Sequence, residues 1–262
     1  MNPPLTGQTV AITGAANGIG KAITAAFREA GCRVLAIDLN EEALRVLKDE
    51  SPDNTTIAPV DISDYGELKQ LAGAQLDGVD HLVCAAAIGS GKTGFPFWNL
   101  EPDDWSKVIE VTLMGTVNVM HAFAPALLKG DTQRKSVALL ASVAGQIGSQ
   151  TDPPYSASKA ALINFAQCAA KDFAPYGIRV NSISPGMVRT ALNESVWAAS
   201  EAAAAGQSYE DWADEKIRKV SPLGRWQTPE EIAAMAVFLA GEQGKNITGQ
   251  TLNIDGGQVM HS

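Results

Sequence analysis

Short apolar runs recur along this chain, separated by longer stretches of helical character. The runs are Val10–Ile12, Val34–Ile37, Thr56–Val60, His81–Cys84, Val137–Leu140, Val180–Ile183 and Thr251–Ile254. They are continuous rather than alternating, the pattern of strands covered on both faces. Strand and helix in alternation predict right-handed βαβ units and a parallel sheet. No repeat or linker interrupts the rhythm, so residues 1–262 read as a single domain with one large core. In such open sheets ligands bind beyond the carboxyl ends of the strands. Asp38, Asp61, Ala85, Ser142 and Pro185 all follow strand runs and so should share that edge.

The first run leads into Thr13-Gly14-Ala15-Ala16-Asn17-Gly18-Ile19-Gly20, and an alanine-rich helical stretch follows to Ala30. Strand, glycine turn, helix is the setting of a dinucleotide site: glycines admit a pyrophosphate to the backbone, and the helix start offers free N–H groups. The spacing is G-x-x-x-G-x-G. The second run ends at Asp38, whose carboxylate suits a ribose diol and repels a 2′-phosphate; no arginine follows immediately. NAD is therefore expected over NADP. Asp38 has a competing use as a helix N-cap, which Asn40 could fill equally well. The expected architecture is an α/β, Rossmann-like doubly wound parallel sheet of about seven strands with helices on both faces.

A second constellation lies near the middle. Tyr155 and Lys159 are four residues apart, one turn along one helix face, and Ser142 ends a buried strand run. Phenol, ammonium and hydroxyl together make a proton-transfer site. A free tyrosine titrates near pH ~10, and a neighbouring cation would lower that value toward a working general base. Tyr-x-x-x-Lys alone also arises as a surface tyrosine over a lysine stem.

Taken together, these residues resemble the short-chain dehydrogenase/reductase family nearly end to end. Thr13-Gly14-x-x-x-Gly18-x-Gly20 is similar to its cofactor loop, with Asn17 and Ile19 inside it. Asp61-Ile62 resembles the pair at the adenine. Ser142, Tyr155 and Lys159 have the catalytic spacing. Asn181-x-x-x-Pro185-Gly186-Met187-Val188-x-Thr190 resembles the segment holding the nicotinamide end. Ile247-Thr248-Gly249-Gln250 and Ile254-Asp255-Gly256-Gly257 resemble the closing turn and last strand. The resemblance implies an NAD-dependent oxidoreductase that interconverts a secondary alcohol and a ketone. Tyr155 would be its acid/base, Ser142 would bind the substrate oxygen, and Lys159 would lower the tyrosine pKa and bind the nicotinamide ribose. A homotetramer paired through the long central helices and the last strand is also implied.

Two positions depart from the family. Its usual Asn-Asn-Ala-Gly after the fourth strand is Cys84-Ala85-Ala86-Ala87 here, which leaves main-chain contacts to the cofactor through Ala85. Seven residues after Trp105, its usual catalytic asparagine is Thr112, which is expected to hold the relay water with its hydroxyl. That change keeps open an NADH-binding sensor or scaffold with little turnover.

Substrate residues are expected from the variable segments. Gln146, Gln150, Thr151 and Asp152 offer polar contacts that suit a polyol, sugar or hydroxy-acid, with Gln150 the named candidate. An acetoin-type or 3-oxoacyl reductase is the alternative. Gly89–Leu100 is expected to wall the pocket; its Gly-Ser-Gly-Lys-Thr is not a P-loop, because Cys84 stands where the first glycine belongs. Residues 191–220 read as two helices forming a substrate lobe, in which Trp197 and Trp212 either pack on the core or touch substrate.

Composition narrows the partners. The net charge is −9 with no basic cluster, which argues against nucleic acid and anionic membranes. No uninterrupted apolar stretch is read as a membrane span, and Met1-Asn2-Pro3-Pro4 shows no signal pattern, so a cytoplasmic location is expected. Cys32, Cys84 and Cys168 sit singly in apolar runs and are expected as buried free thiols. The three histidines are scattered, so no metal site is expected.

Overall fold

The structure, a computed structural model, describes residues 4–75, 77–92, 96–129, 134–148, 151–198 and 200–260. The elements are β1 (Thr9–Thr13), α1 (Gly18–Glu29), β2 (Arg33–Asp38), α2 (Glu41–Asp49), β3 (Thr55–Pro59), α3 (Tyr65–Gly73) and β4 (His81–Cys84). They continue with α4 (Pro102–Val108), a π-helical turn (Ile109–Met114), α5 (Gly115–Leu128), β5 (Ser136–Leu140), α6 (Pro153–Phe173) and β6 (Arg179–Pro185). Last come α7 (Ala191–Ala198), α8 (Glu201–Ala204), α9 (Tyr209–Val220), α10 (Pro229–Ala240) and β7 (Thr251–Ile254).

All seven strands form one parallel sheet in the order β3-β2-β1-β4-β5-β6-β7. Val10 stands between Val34 and His81, which places β1 inside the sheet between β2 and β4. Helices cover both faces. On one side Ile23 and Phe27 of α1 pack with Ile232 and Leu239 of α10. On the other, Leu68, Phe123, Leu127 and Ala166 come from α3, α5 and α6. Order reverses between β1 and β4, and the crevice of a doubly wound sheet opens at such a switch point.

Two sequence expectations change. Helix Pro102–Leu128 is long and apolar enough to cross a membrane by length and composition, with mean hydropathy 1.4. From Val111 to Leu128 it carries no Asp, Glu, Lys or Arg, an unbroken stretch that the sequence reading passed over. Half of that window is buried, with Val119, Phe123 and Leu127 set into the core. Cys168 is exposed, whereas Cys32 and Cys84 are buried. The 3.6-residue period turns Ala166, Ala169 and Ala170 of α6 inward and Cys168 outward, a distinction invisible in its apolar neighbourhood.

Candidate active site

A cavity of about 810 Å³ opens along the carboxyl edge of the sheet. Gly14, Asn17, Gly18, Ile19, Gly20, Asp38, Asp61, Ile62, Ala85, Pro185, Gly186, Val188 and Thr190 all line it, together with Ser142, Tyr155 and Lys159. Residues scattered over the sequence thus meet in one place, because most lie at or just past the end of a parallel strand and α6 brings Tyr155 and Lys159 to the same edge.

The glycine loop explains its own composition. Gly14 has φ +66°, and a Cβ there would lie 2.8 Å from the Ala86 backbone. A Cβ on Gly20 would lie 1.9 Å from the Gly14 carbonyl oxygen, so only glycine lets α1 start this close to the loop. Asn17 is the N-cap of α1 but makes no side-chain cap bond. The first amides of the helix therefore lack a side-chain acceptor and line the cavity, an arrangement that fits a pyrophosphate.

Beside it, Asp38 Oδ2 accepts from the Ala16 amide at 3.0 Å and Oδ1 from the Asn40 amide at 3.0 Å. Asn40, not Asp38, caps α2, accepting from Ala43. Asp38 is thus a carboxylate fixed at the cavity wall with lone pairs left for a diol. Asp61 accepts from the Ser63 amide at 2.8 Å and hydroxyl at 2.7 Å, and these bonds hold its pKa below the ordinary range.

At the other end lies the proton-transfer group. Asp152 caps α6, which starts the helix so that Tyr155 and Lys159 fall on its cavity side. Ser142 lies two residues past β5 and caps the short turn that follows, its Oγ accepting from the Ala144 amide at 3.1 Å, and its hydroxyl hydrogen-bonds with the Tyr155 phenol. The Lys159 ammonium is 5.3 Å from the tyrosine ring centroid and donates to the Leu140 carbonyl at 2.5 Å.

The titration state differs from the sequence expectation. Burial pushes the Tyr155 phenol up to about 12; the Ser142 bond pulls it down, and the Asp152 charge pushes it further up. Lys159 does not lower it. The lysine is itself fully enclosed, and burial brings it down to about 7.

Thr112 is also different from the expectation of a water-holding hydroxyl. It lies in the π-helical turn, fully buried, and is not among the cavity-lining residues. Its Oγ1 donates to the Ile88 carbonyl and accepts from the Ile88 amide, both at 3.1 Å. The hydroxyl proton is therefore engaged in fixing the loop after β4. π turns commonly mark functional sites, and this one sets Val111 on the cavity wall while Thr112 ties down Ile88.

Sequence reasoning placed Thr13 in the cofactor loop but missed what its hydroxyl does. Its Oγ1 accepts from the Ala85 and Ala86 amides at 3.2 and 3.4 Å. It holds the turn that lacks the family's asparagines, and a threonine directly after the apolar run Val10–Ile12 is its sequence signal.

The substrate side is partly as expected. Thr151 and Asp152 line the cavity, and Asp152 Oδ2 accepts from the Ser90 amide at 2.8 Å. Gln146 turns away to pair with Asn253 at 2.7 and 2.9 Å. Gln150 lies outside the described residues. From the 89–100 loop only Gly89 reaches the wall among the described residues; Phe97 and Trp98 are exposed. The lobe has two main helices, α7 and α9, with the short α8 between them. Trp197, Tyr209 and Trp212 form a row of edge-on and tilted rings, with centroids 5.8 and 6.0 Å apart, and none lines the cavity. They pack the lobe, while Asn193, Val196, Lys216 and Val220 face inward, which alanine-rich composition did not reveal.

Parallel sheet, glycine-loop crevice and a Ser–Tyr–Lys group define a nucleotide-dependent oxidoreductase site. Residues 14–259 match the family model described as enoyl-(acyl carrier protein) reductase. The chain is 32% identical to a 3-oxoacyl-(acyl-carrier-protein) reductase of Thermotoga maritima, over 98% of this chain and 99% of that one. It is 32% identical to an NAD-dependent glycerol dehydrogenase of Listeria innocua, over 98% of this chain and 95% of the relative. A solved 3-oxoacyl-(acyl-carrier protein) reductase with bound NAD from Brucella melitensis superposes with TM-score 0.84. Its identity is 30%, covering 99% of this chain and 94% of that one. The chain belongs to the short-chain dehydrogenase/reductase family of oxidoreductases.

Proposed function

We propose that this protein is an NAD(H)-dependent dehydrogenase interconverting a secondary alcohol and a ketone of polyol, sugar or hydroxy-acid type. One observation carries the reading: the Tyr155 phenol, bonded to Ser142 and with the Lys159 ammonium 5.3 Å from its ring centroid, shares a cavity with the glycine loop. A bound nicotinamide supplies or takes the hydride; the protons belong to the chain. In reduction Tyr155 gives its proton to the carbonyl oxygen, and Ser142 donates a hydrogen bond to the same oxygen as charge develops there. In oxidation the phenolate takes the alcohol proton. Lys159 has three donors; one holds Leu140, and the others serve the ribose hydroxyls. Thr112 acts at one remove by holding Ile88.

Asp38 supports NAD, since a carboxylate pinned by two amides repels a 2′-phosphate. The relative solved with NAD and the NAD-dependent glycerol dehydrogenase are consistent with this choice. Reduction of a 3-oxoacyl-(acyl-carrier-protein), named for several relatives, is the alternative within the same chemistry. We also propose a homotetramer, with β7 at the open edge of the sheet and α6 as pairing elements. The test is cofactor reduction at alkaline pH with sugars, polyols, hydroxy-acids and secondary alcohols, using NAD and NADP side by side. Turnover with NAD on one class supports the reading. Better turnover with NADP refutes the Asp38 argument, and tight NADH binding without turnover favours a sensor.

A further inference from the structure

Lys216 is the charged lobe residue on the cavity wall among the described residues. Its helical neighbours at three and four positions are Trp212, Ala213, Lys219 and Val220, so α9 offers it no carboxylate. Two cations of the same region are paired, Lys219 with Glu215 at 2.5 Å and Arg189 with Glu210 at 3.1 Å. Lys216 has no such bond among the described residues. Its ammonium instead lies 4.3 Å from the Trp212 ring centroid. Trp212 is held in the aromatic row that anchors the lobe, so the cation is positioned rather than loose. Burial brings its pKa down to about 8, and no carboxylate acts on it. Half-buried charges are normally paired, and in a chain of net charge −9 acids are plentiful. This one faces a cavity beside the apolar side chains of Val196 and Val220.

We propose that Lys216 binds an anionic group of the substrate, and that the substrate is a short oxo-acid or hydroxy-acid. Its carboxylate lies against Lys216 while its carbonyl or hydroxyl lies at Ser142 and Tyr155. The inference rests on the Tyr155-centred reading above and narrows its substrate class to acids. A cofactor pyrophosphate is the weaker occupant, because the uncapped start of α1 already provides a site for one. The phosphate of a carrier arm is the other source of negative charge.

The experiment uses the full chain saturated with NAD, a state in which ketones bind without reacting. Pyruvate, acetoacetate and levulinate are titrated by calorimetry against their methyl esters, in wild type, Lys216→Ala and Lys216→Gln. A charge-assisted bond predicts that at least one acid binds about tenfold or more tighter than its ester, and that both variants erase the difference. Thermal melting identifies a variant that fails to fold; Lys216→Gln keeps the stem and serves if Lys216→Ala does not fold. Acids that bind no better than esters, or a preference that survives both variants, overturn the proposal. So does a loss confined to NAD affinity, which makes Lys216 a cofactor clamp. A penalty on acetoacetyl-coenzyme A but not on acetoacetyl-pantetheine or the free acids assigns the anion to a carrier phosphate and overturns the substrate class. Reduction of the same compounds by NADH is followed in parallel. Lys216-dependent acid binding without any reduction counts against the Tyr155 reading alone. Equal reduction of acids and esters counts against Lys216 alone.

Discussion

Tyr155 carries a proton at neutral pH in the free protein, because burial raises its pKa to about 12. A phenol in that state is ready to act as an acid, so carbonyl reduction should vary little across neutral pH. Alcohol oxidation needs the phenolate, which grows as pH rises. Initial rates in both directions should therefore show oxidation climbing from about pH 7 toward about pH 10 while reduction stays level or falls. Oxidation that peaks below neutral pH would contradict this assignment. The trio was legible in the sequence because four-residue spacing fixes a helix face. Its proton affinity was not, since the sign of the shift depends on enclosure, and enclosure comes from distant segments. Thr112 shows the same limit. Its identity stood out, but the π-helical turn decides where its hydroxyl points, and that hydroxyl ends on Ile88.

Among the elements, the strand–loop–helix unit at the N-terminus was the most readable, since each glycine answers a steric demand within a few residues. Gly20→Ala tests it. Its added methyl would meet the Gly14 carbonyl oxygen at 1.9 Å, so the loop must shift away from the pyrophosphate position. Fluorescence titration should show NADH affinity falling about tenfold or more; unchanged affinity would mean that the loop does not hold the cofactor. The lobe was less readable. Alanine-rich sequence predicted helices but not which face looks inward, because alanine marks no side. The aromatic row and the orphan cation on its inner edge emerge only when α7 and α9 are set against each other. Loop 89–100 shows the reverse error: its glycines suggested a wall, whereas its aromatic pair faces solvent.

At the scale of the whole molecule, parallel strands and two helical layers followed from continuous apolar runs, but strand order did not, because any order buries such runs. The order β3-β2-β1-β4-β5-β6-β7 is what joins the glycine loop to the β4 turn and places the cavity there. At the opposite end of β4, His81 ties the centre of the sheet together. Its Nε2 pairs with Gln8 Oε1 at 2.7 Å and its Nδ1 with the Ser136 hydroxyl at 2.9 Å, partners that a neutral ring satisfies in full. Burial lowers its pKa to about 4. The unfolded imidazole takes up its proton near pH ~6.5. The contribution of His81 is thus complete above that value and is lost as pH falls toward 4, on the order of 3 kcal/mol in total. Urea unfolding at several pH values should show this loss, and His81→Leu should flatten it. A wild type equally stable at pH 6.5 and pH 4 would refute a buried neutral ring.

The central claim is that Tyr155 moves the substrate proton in an NAD(H)-dependent reaction. The measurement that tests it most directly compares NADH-linked turnover and NADH binding in wild type and Tyr155→Phe on the best substrate of the panel. The account predicts unchanged NADH affinity and a turnover lower by at least about a hundredfold. Turnover near the wild-type level in Tyr155→Phe would contradict it.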